Sequence, residues 1–280
     1  MNTRFASLPV VLRSILTGAA SIATIGVLSL PSVTRAELVS SWTQYSGSIS
    51  SGLNTASPVL GNGTSGSESA DSQTIYASTA TSHTLSSVGD SISLSGGVTF
   101  TGLNTPDADQ FRFGLYDVNG QSGATGWLGY FASNSGASAG PTYSRLWERA
   151  NPNTGSFGSG TGATAIANVN ASPSNTSFVS GDYTFSLTIT RVSTGLSLAW
   201  TLIGTDVSYS VSGTFTDTTP LTYTFNRVGF FAGGSLDADQ VGFSNVDVTF
   251  TSAVPEPASW GTLAACFAFA AVCMRRRSRA

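Results

Sequence analysis

Two copies of the tetrapeptide Asp-Ala-Asp-Gln are the residues of this chain whose types and spacing best suit metal chemistry. The first copy places carboxylates at Asp107 and Asp109, and the second places them at Asp237 and Asp239. In an extended chain, side chains two residues apart point the same way, and Ca²⁺ prefers oxygen ligands. The sequence predicts no cofactor, and Ca²⁺ is a candidate ligand of these four aspartates. The alternatives to calcium are a pair of metal-free caps where a loop enters a strand, or similar entries to neighbouring strands of one sheet.

Aromatic residues in the middle of the chain are candidates for sugar binding. Trp127, Tyr130 and Trp147 occur here, and Trp147 lies between Arg145 and Arg149. The C–H faces of sugars pack on exposed aromatic rings, whereas aromatic residues that alternate along strands mostly belong to the core. The sequence thus predicts glycan contacts at Trp127, Tyr130 and Trp147, with burial in the core as the alternative.

Groups suited to catalysis are scarce. A retaining glycosidase needs two carboxyl groups about 5 Å apart, but the glutamates Glu37, Glu68 and Glu148 are far apart in the sequence. The single histidine, His83, lies in a polar segment that favours a surface position, and no cysteine precedes residue 266. We therefore predict a protein that is not an enzyme. The alternative is a glycan-active hydrolase or lyase.

The elements that position these residues are predicted to be strands. Apolar residues alternate with Thr and Ser over 183–189 and over 196–202, and the turn Ser193-Thr194-Gly195 between them predicts a hairpin. No helical period of useful length occurs between the two termini. The pattern predicts an all-β protein, an antiparallel β-sandwich. Its parts are N-terminal strands with a flexible Gly/Ser/Thr-rich segment over 37–90 and the β-sandwich domain over 91–253.

Several of these strand segments resemble a known family. Phe111 to Asp117, Tyr183 to Arg191 and Phe243 to Val248 resemble strands of concanavalin A-like and laminin-G-like jelly rolls. The resemblance implies a jelly roll in which one sheet often binds glycans, although many members are structural. On this fold, the enzyme alternative would be a polysaccharide hydrolase or lyase.

Charge and cysteine usage exclude several classes of partner and stabilisation. The chain has no lysine, and residues 37–253 contain five arginines against fourteen acidic residues, a formal net charge of −9. A domain this acidic is not expected to bind nucleic acid. Both cysteines, Cys266 and Cys273, lie beyond this segment, so no disulfide can stabilise it.

The two ends of the chain predict export and membrane targeting. Arg4 and Arg13 precede an uncharged apolar stretch over 15–30, and Ala36 offers a small residue for cleavage, which predicts a signal peptide over 1–36. At the other end, residues 258–274 carry no charge and can form a single short transmembrane helix. The arginines that follow would keep the C-terminus in the cytoplasm: Arg275, Arg276, Arg277 and Arg279.

The tail as a whole resembles the PEP-CTERM sorting signal. Val254-Pro255-Glu256-Pro257, the short span and the terminal arginines follow one another in that order over 254–280. In that family the signal is recognised by exosortase, a membrane-embedded protease of Gram-negative bacteria that make extracellular polysaccharide. The resemblance implies an exosortase-type partner, a transient stay in the inner membrane, and extracellular polysaccharide as a further candidate partner. An ordinary tail anchor is the alternative.

Together these features predict an exported, non-catalytic protein of the cell surface or extracellular matrix, with glycan binding as a candidate role. The precursor would be anchored in the inner membrane before it reaches the cell envelope, the cell surface or the extracellular matrix.

Overall fold

The computed structural model describes residues 33–48, 50–64, 69–104, 110–134, 143–149, 157–170 and 179–253. Within these ranges the chain forms fifteen strands and one turn of 3₁₀ helix at Ala124–Gly126. In chain order the strands are β1 (Val33–Leu38), β2 (Trp42–Ser46), β3 (Ser50–Ser51), β4 (Val59–Leu60), β5 (Thr74–Thr84), β6 (Ser91–Thr101), β7 (Phe111–Asp117), β8 (Leu128–Asn134), β9 (Tyr143–Arg149), β10 (Ala163–Asn170), β11 (Gly181–Val192), β12 (Gly195–Gly204), β13 (Ser210–Asp217), β14 (Thr224–Ala232) and β15 (Gln240–Ser252).

The strands form two antiparallel sheets. Sheet A has the order β13-β12-β11-β6-β15-β4-β3, with β1 also paired to β15, and sheet B has the order β10-β9-β8-β7-β14-β5-β2. Buried side chains from both sheets pack into one core between them. The predicted all-β antiparallel sandwich is therefore confirmed. The strands within 37–90 belong to the same two sheets as those within 91–253.

The hairpin of β11 and β12 shows how the two-residue period builds sheet A. Tyr183, Phe185 and Leu187 point into the core, and the hydroxyl residues between them face outward. At the turn, Gly195 has a φ of 148°, and a Cβ there would lie 2.0 Å from the carbonyl oxygen of Asp217. Only glycine fits this position. The predicted hairpin is confirmed.

Aromatic rings join the two sheets at the centre of the core. The ring of Phe230 in sheet B stacks on Phe243 of sheet A, with 4.1 Å between the ring centroids. Phe185 of sheet A and Trp42 of sheet B pack on the same ring at 5.3 and 5.4 Å. Trp200 is also fully buried. Burial of these large rings is a main source of stability in a domain without disulfides.

Candidate functional site

The outer faces of the two sheets differ in chemistry. Along β11 of sheet A, the outward side chains are hydroxyl residues such as Thr184, Ser186 and Thr188. Along β9 of sheet B, Leu146 and Glu148 are buried on the inner side, and the residues between and beside them face outward. Those outward residues are Arg145, Trp147 and Arg149. Sheet B thus presents arginines and aromatic rings where sheet A presents hydroxyl groups.

Antiparallel register assembles these side chains from four neighbouring strands. Strand β9 places Trp147 opposite Phe131 and Arg145 opposite Ser133 of β8. Strand β7 places Arg112 between Ser133 on one side and Phe231 of β14 on the other. We call the following six residues the arginine–aromatic patch: Arg112, Phe131, Ser133, Arg145, Trp147 and Phe231. Phe131 and Ser133 are buried beneath it, and the other four are partly exposed.

Contacts within the arginine–aromatic patch hold the rings and guanidinium groups in one layer. The Trp147 and Phe131 rings are 9° from parallel with centroids 5.9 Å apart, and Trp147 Nε1 donates to Ser133 Oγ at 2.8 Å. The Arg145 guanidinium lies 5.6 Å from the Trp147 ring, and that of Arg112 lies 4.7 Å from the Phe231 ring. Both distances are within the range of cation–π attraction.

The rest of the outer face of sheet B is covered by the segments beside Trp127 and Phe157. The Phe157 ring stacks on Trp127 at 5.2 Å and occupies the space above Gly229, where a Cβ would lie 2.2 Å from it. Arg149 is fully buried below and donates to the carbonyl oxygens of Trp127, at 3.2 Å, and Thr125, at 3.0 Å. In this half of the face the Trp127 and Phe157 rings are buried, whereas Tyr45, which packs on Phe157 with 5.6 Å between centroids, stays 40% exposed.

Burial corrects two of the three predicted glycan contacts. Trp127 is 3% exposed because it packs beneath Phe157, and Tyr130 is fully buried because it occupies an inward position of β8. Neither ring can meet a sugar from solution. Trp147 is partly exposed and is the predicted contact that the arginine–aromatic patch retains.

A cluster of acids that sequence reasoning missed lies on the other side of the same strands. The hydroxyl oxygen of Tyr130 is 3.2 Å from Oε1 of Glu148 and 2.7 Å from Oδ2 of Asp217. The two acids are 9% and 6% exposed. One hydroxyl proton can serve only one of these oxygens, so the two carboxyl groups compete for it. Burial, with the charge of Asp217 nearby, raises the pKa of Glu148 against the lowering effect of the Leu221 backbone N–H.

The acid cluster predicts a pH dependence of stability that Glu148→Gln should reduce. A raised carboxyl pKa means that the folded protein binds the proton more tightly than the unfolded chain. The stabilisation that this proton gives the folded protein is fully present below the pKa of Glu148 in the unfolded chain. It is lost as pH rises through the higher pKa of Glu148 in the folded protein. Glutamine needs no proton and keeps an acceptor for the N–H of Leu221, which donates to Oε1 at 3.0 Å.

Urea unfolding at several pH values between 4 and 8 measures this dependence. As pH rises toward neutral, the free energy of unfolding should fall more in wild type than in Glu148→Gln. The conservative control Asp206→Asn changes an exposed acid and should follow wild type. Parallel curves for wild type and Glu148→Gln would contradict a raised pKa of Glu148 in the folded protein.

The second Asp-Ala-Asp-Gln copy lies against a third acid, Asp71. The backbone N–H of Asp237 donates to Asp71 Oδ1 at 3.0 Å. Burial raises the pKa of Asp71, and the charges of Asp237 and Asp239 add to that shift. Gln110 leads into β7 of sheet B, whereas Gln240 begins β15 of sheet A. The alternative in which the two copies lead into neighbouring strands of one sheet is therefore wrong.

The metal-binding prediction for these acids falls partly outside the described residues, because Asp107 and Asp109 lie there. Within the described ranges, no three or more acidic, histidine or cysteine side chains are grouped closely enough to hold a metal ion. The hydrogen bond from Asp237 N–H to Asp71 joins segments 166 residues apart in the sequence, so it is a tertiary contact and not a local turn. Calcium stays a candidate.

The single histidine lies beside a separate cavity near the chain ends of the domain. His83 is buried rather than on the surface as predicted, because its ring stacks on Phe250 with 4.8 Å between centroids. Burial is the main cause that lowers its pKa. The cavity beside it, of about 350 Å³, is also lined by Arg35, Thr81 and Ser252. Glu37 lines an adjoining pocket together with Arg35 and His83, and its charge partly offsets the lowering of the histidine pKa.

The sorting-signal residues lie outside the described residues, as do nearly all of the predicted signal peptide and the whole predicted span. The outside set comprises Val254, Pro255, Glu256, Pro257, Arg275, Arg276, Arg277 and Arg279. Residues 33–36, the last of the predicted signal peptide, belong to β1 and pair with β15. Over the described ranges, the chain contains no helix with the length and apolar character that a membrane crossing requires.

Comparison with known proteins identifies the fold. A scan against protein-family models matches none, and a search of curated proteins finds no match. Among solved structures, basic winged bean lectin superposes with a TM-score of 0.50 at 10% identity, over 79% of this chain and 99% of that chain. Arcelin-5, a lectin-like defence protein from Phaseolus vulgaris, superposes with a TM-score of 0.50 at 11% identity, over 79% and 98%. The chain thus has the jelly-roll fold of these lectins.

Proposed function

We propose that this protein is an exported, non-catalytic protein of the cell surface or extracellular matrix that binds glycans through the arginine–aromatic patch. The observation that carries the proposal is the partly exposed Trp147 ring, held between Phe131 and Arg145 on the open face of sheet B. The ring packs against the buried cluster beneath it but stays partly exposed, and exposed apolar patches rimmed by polar groups commonly mark binding surfaces. A sugar can place its C–H face on the ring and its hydroxyl groups against the guanidinium.

The fold supports this proposal. The winged bean lectin that shares it was crystallised with the Tn-antigen. A jelly roll can therefore carry a glycan site without any catalytic groups, and here the arginine–aromatic patch supplies rings and hydrogen-bond donors of the kind that sugars need.

The position of the acids supports binding without turnover. Hydrolysis of a glycan requires carboxyl groups at the bound sugar. Glu148 points between the sheets, where it contacts Tyr130 and Asp217, and away from the arginine–aromatic patch. A hydrolase or lyase would need an acid or base beside Trp147, and the neighbouring positions on β9 are Arg145 and Arg149.

Export and sorting complete the proposal. The signal peptide over 1–36 would bring the chain out of the cytoplasm, and the tail over 254–280 would hold it at the inner membrane for an exosortase-type protease. The supporting observation is that Val254-Pro255-Glu256-Pro257, the uncharged span and the terminal arginines follow one another in the sequence. The released domain would then contact extracellular polysaccharide.

Replacing Trp147 by alanine tests the proposed surface. We expect the full chain, kept in detergent, to bind at least one member of a polysaccharide panel, and Trp147→Ala to weaken that binding about thirtyfold. Loss of a central aromatic side chain from an interface typically costs about 2 kcal/mol. Binding measured by isothermal calorimetry or biolayer interferometry gives the comparison.

The matched control is Tyr223→Ala. Tyr223 is also a half-buried ring beneath an arginine, since the Arg191 guanidinium lies 3.8 Å from its centroid, but it does not belong to the arginine–aromatic patch. Its loss should leave binding unchanged. Equal weakening by both variants would place the glycan elsewhere, and a wild-type chain that binds no polysaccharide would remove the proposal.

A further inference from the structure

We propose that one end of the sandwich rests on the lipid surface of the membrane while the predicted span holds the precursor there. We call it the exit end, because the described chain leaves the domain at this end. It comprises the loops 85–90, 193–194 and 218–223 together with Ala253. The inference rests on the membrane hold in the proposed function and adds which surface of the domain faces the lipid.

Contacts between the loops make the exit end one connected surface. Asp90 Oδ1 accepts a hydrogen bond from the N–H of Ala253 at 2.9 Å. The N–H of Gly89 donates to the carbonyl oxygen of Arg191 at 2.8 Å. The Arg191 guanidinium in turn lies 3.8 Å from the centroid of the Tyr223 ring. All three loops are thus held around the point at which the chain leaves the domain.

The short distance between the domain and the predicted span brings this surface close to the bilayer. The predicted span begins at Ala258, five residues after Ala253. An extended chain covers at most about 3.5 Å per residue, so these two residues lie within about 17 Å of each other. The headgroup layer on one side of a bilayer takes up about 5–8 Å of that distance. The exit end of an anchored precursor therefore lies within about 10 Å of the headgroups.

Acidic side chains are concentrated at the opposite end of the sandwich. Four of them lie in or beside its loops: Asp182, Asp206, Asp237 and Asp239. Within the described loops of the exit end, the one acid is Asp90, and it is 1% exposed. Strand β15, of 13 residues, spans about 40 Å between the two ends, several times the Debye length of about 8 Å. The exit end can therefore approach anionic lipid while salt screens the distant acids.

Two exposed apolar side chains lie on the loops of the exit end. Val88 belongs to the loop 85–90 and Leu221 to the loop 218–223, and they are 62% and 49% exposed. Val88 is the most exposed large apolar side chain among the described residues. Apolar side chains are stabilised when they leave water for the boundary between headgroups and acyl chains. We assign both side chains to that boundary in the anchored precursor.

Tryptophan probes and brominated lipids test this contact, because bromine quenches tryptophan emission only at short range. The full chain is reconstituted in vesicles of phosphatidylcholine and phosphatidylglycerol, with and without bromine on the acyl chains. After subtraction of the wild-type emission, the emission added by Val88→Trp should be about twofold weaker in the brominated vesicles. Leu221→Trp should behave in the same way. The matched control is Val179→Trp, at a 49% exposed residue beside the first residue of β11, at the opposite end. Its added emission should be equal in both kinds of vesicle.

Flotation of the wild-type chain with the vesicles separates this inference from the proposed function. A wild-type chain that does not float with them would overturn the membrane hold itself. A chain that floats, but whose probes at residues 88 and 221 emit equally in both kinds of vesicle, would overturn the contact of the exit end and leave the hold in place. Equal quenching of the probe at residue 179 would also overturn that contact, since the domain would then have no preferred end at the lipid.

Discussion

Replacing Asp90 by alanine should lower the free energy of unfolding by about 3 kcal/mol, because this buried carboxylate joins two segments of the domain. Asp90 is 1% exposed. Its Oδ2 accepts from the backbone N–H groups of Ser86, at 2.9 Å, and Ser87, at 2.8 Å. Its Oδ1 accepts from the N–H of Ala253 at 2.9 Å and lies 3.5 Å from the Ser252 hydroxyl oxygen. Hydrogen bonds to a charged group contribute about 1.5–3 kcal/mol each, and water can replace part of that at the exposed donors.

Thermal and urea unfolding of the full chain in detergent measure this loss. For a domain of this size, 3 kcal/mol corresponds to a fall in melting temperature of about 6–12 °C. Asp206→Ala is the matched control, since Asp206 is exposed and accepts one backbone N–H, that of Asp182, at 2.8 Å. It should cost about 1 kcal/mol or less. Similar losses in the two variants would show that Asp90 does not hold the C-terminal strand.

The second large effect that we expect is the loss of proteolytic processing when the C-terminal tail is changed. If Val254-Pro255-Glu256-Pro257 is a recognition collar, the mature protein should lose roughly its last two dozen residues and leave the inner membrane. The span over 258–274 is short and rich in alanine, which suits a transient hold. The double change Glu256→Ala with Pro257→Ala removes the only charge and one of the two prolines of the collar. It should block processing but leave topology intact, since topology depends on the span and the arginines.

Intact mass and membrane fractionation of the protein from its own host measure processing. The control is Ser259→Ala, a small change within the tail that leaves the collar and the arginines unchanged, and it should be processed like wild type. A membrane-bound mature wild-type chain that still ends in Arg279-Ala280 would contradict the sorting signal and favour an ordinary tail anchor.

Local sequence determined the strands of this protein, because the alternation of apolar and polar neighbours shows which side of a strand each residue occupies. The alternation of Tyr183, Phe185 and Leu187 with hydroxyl residues has only one arrangement that buries the rings, and the structure has that arrangement. The turn before Gly195 likewise needs a residue that tolerates positive φ. The all-β class, the hairpin and the placing of Phe185 and Trp200 in the core were therefore predictable.

Tertiary structure alone decided the site, because residues distant in sequence meet only through strand order and register. Tyr130 points inward and Phe131 outward, as expected for neighbours in a strand. Which of the two points to the core is decided by the pairing of β8 with its partner strands, and not by the period itself. Arg112 and Arg145 come together because β7 and β9 both pair with β8. Glu148 meets Asp217 because the two sheets stack at that end of β13. Pairing between strands carries this information, and no local pattern within a single strand contains it.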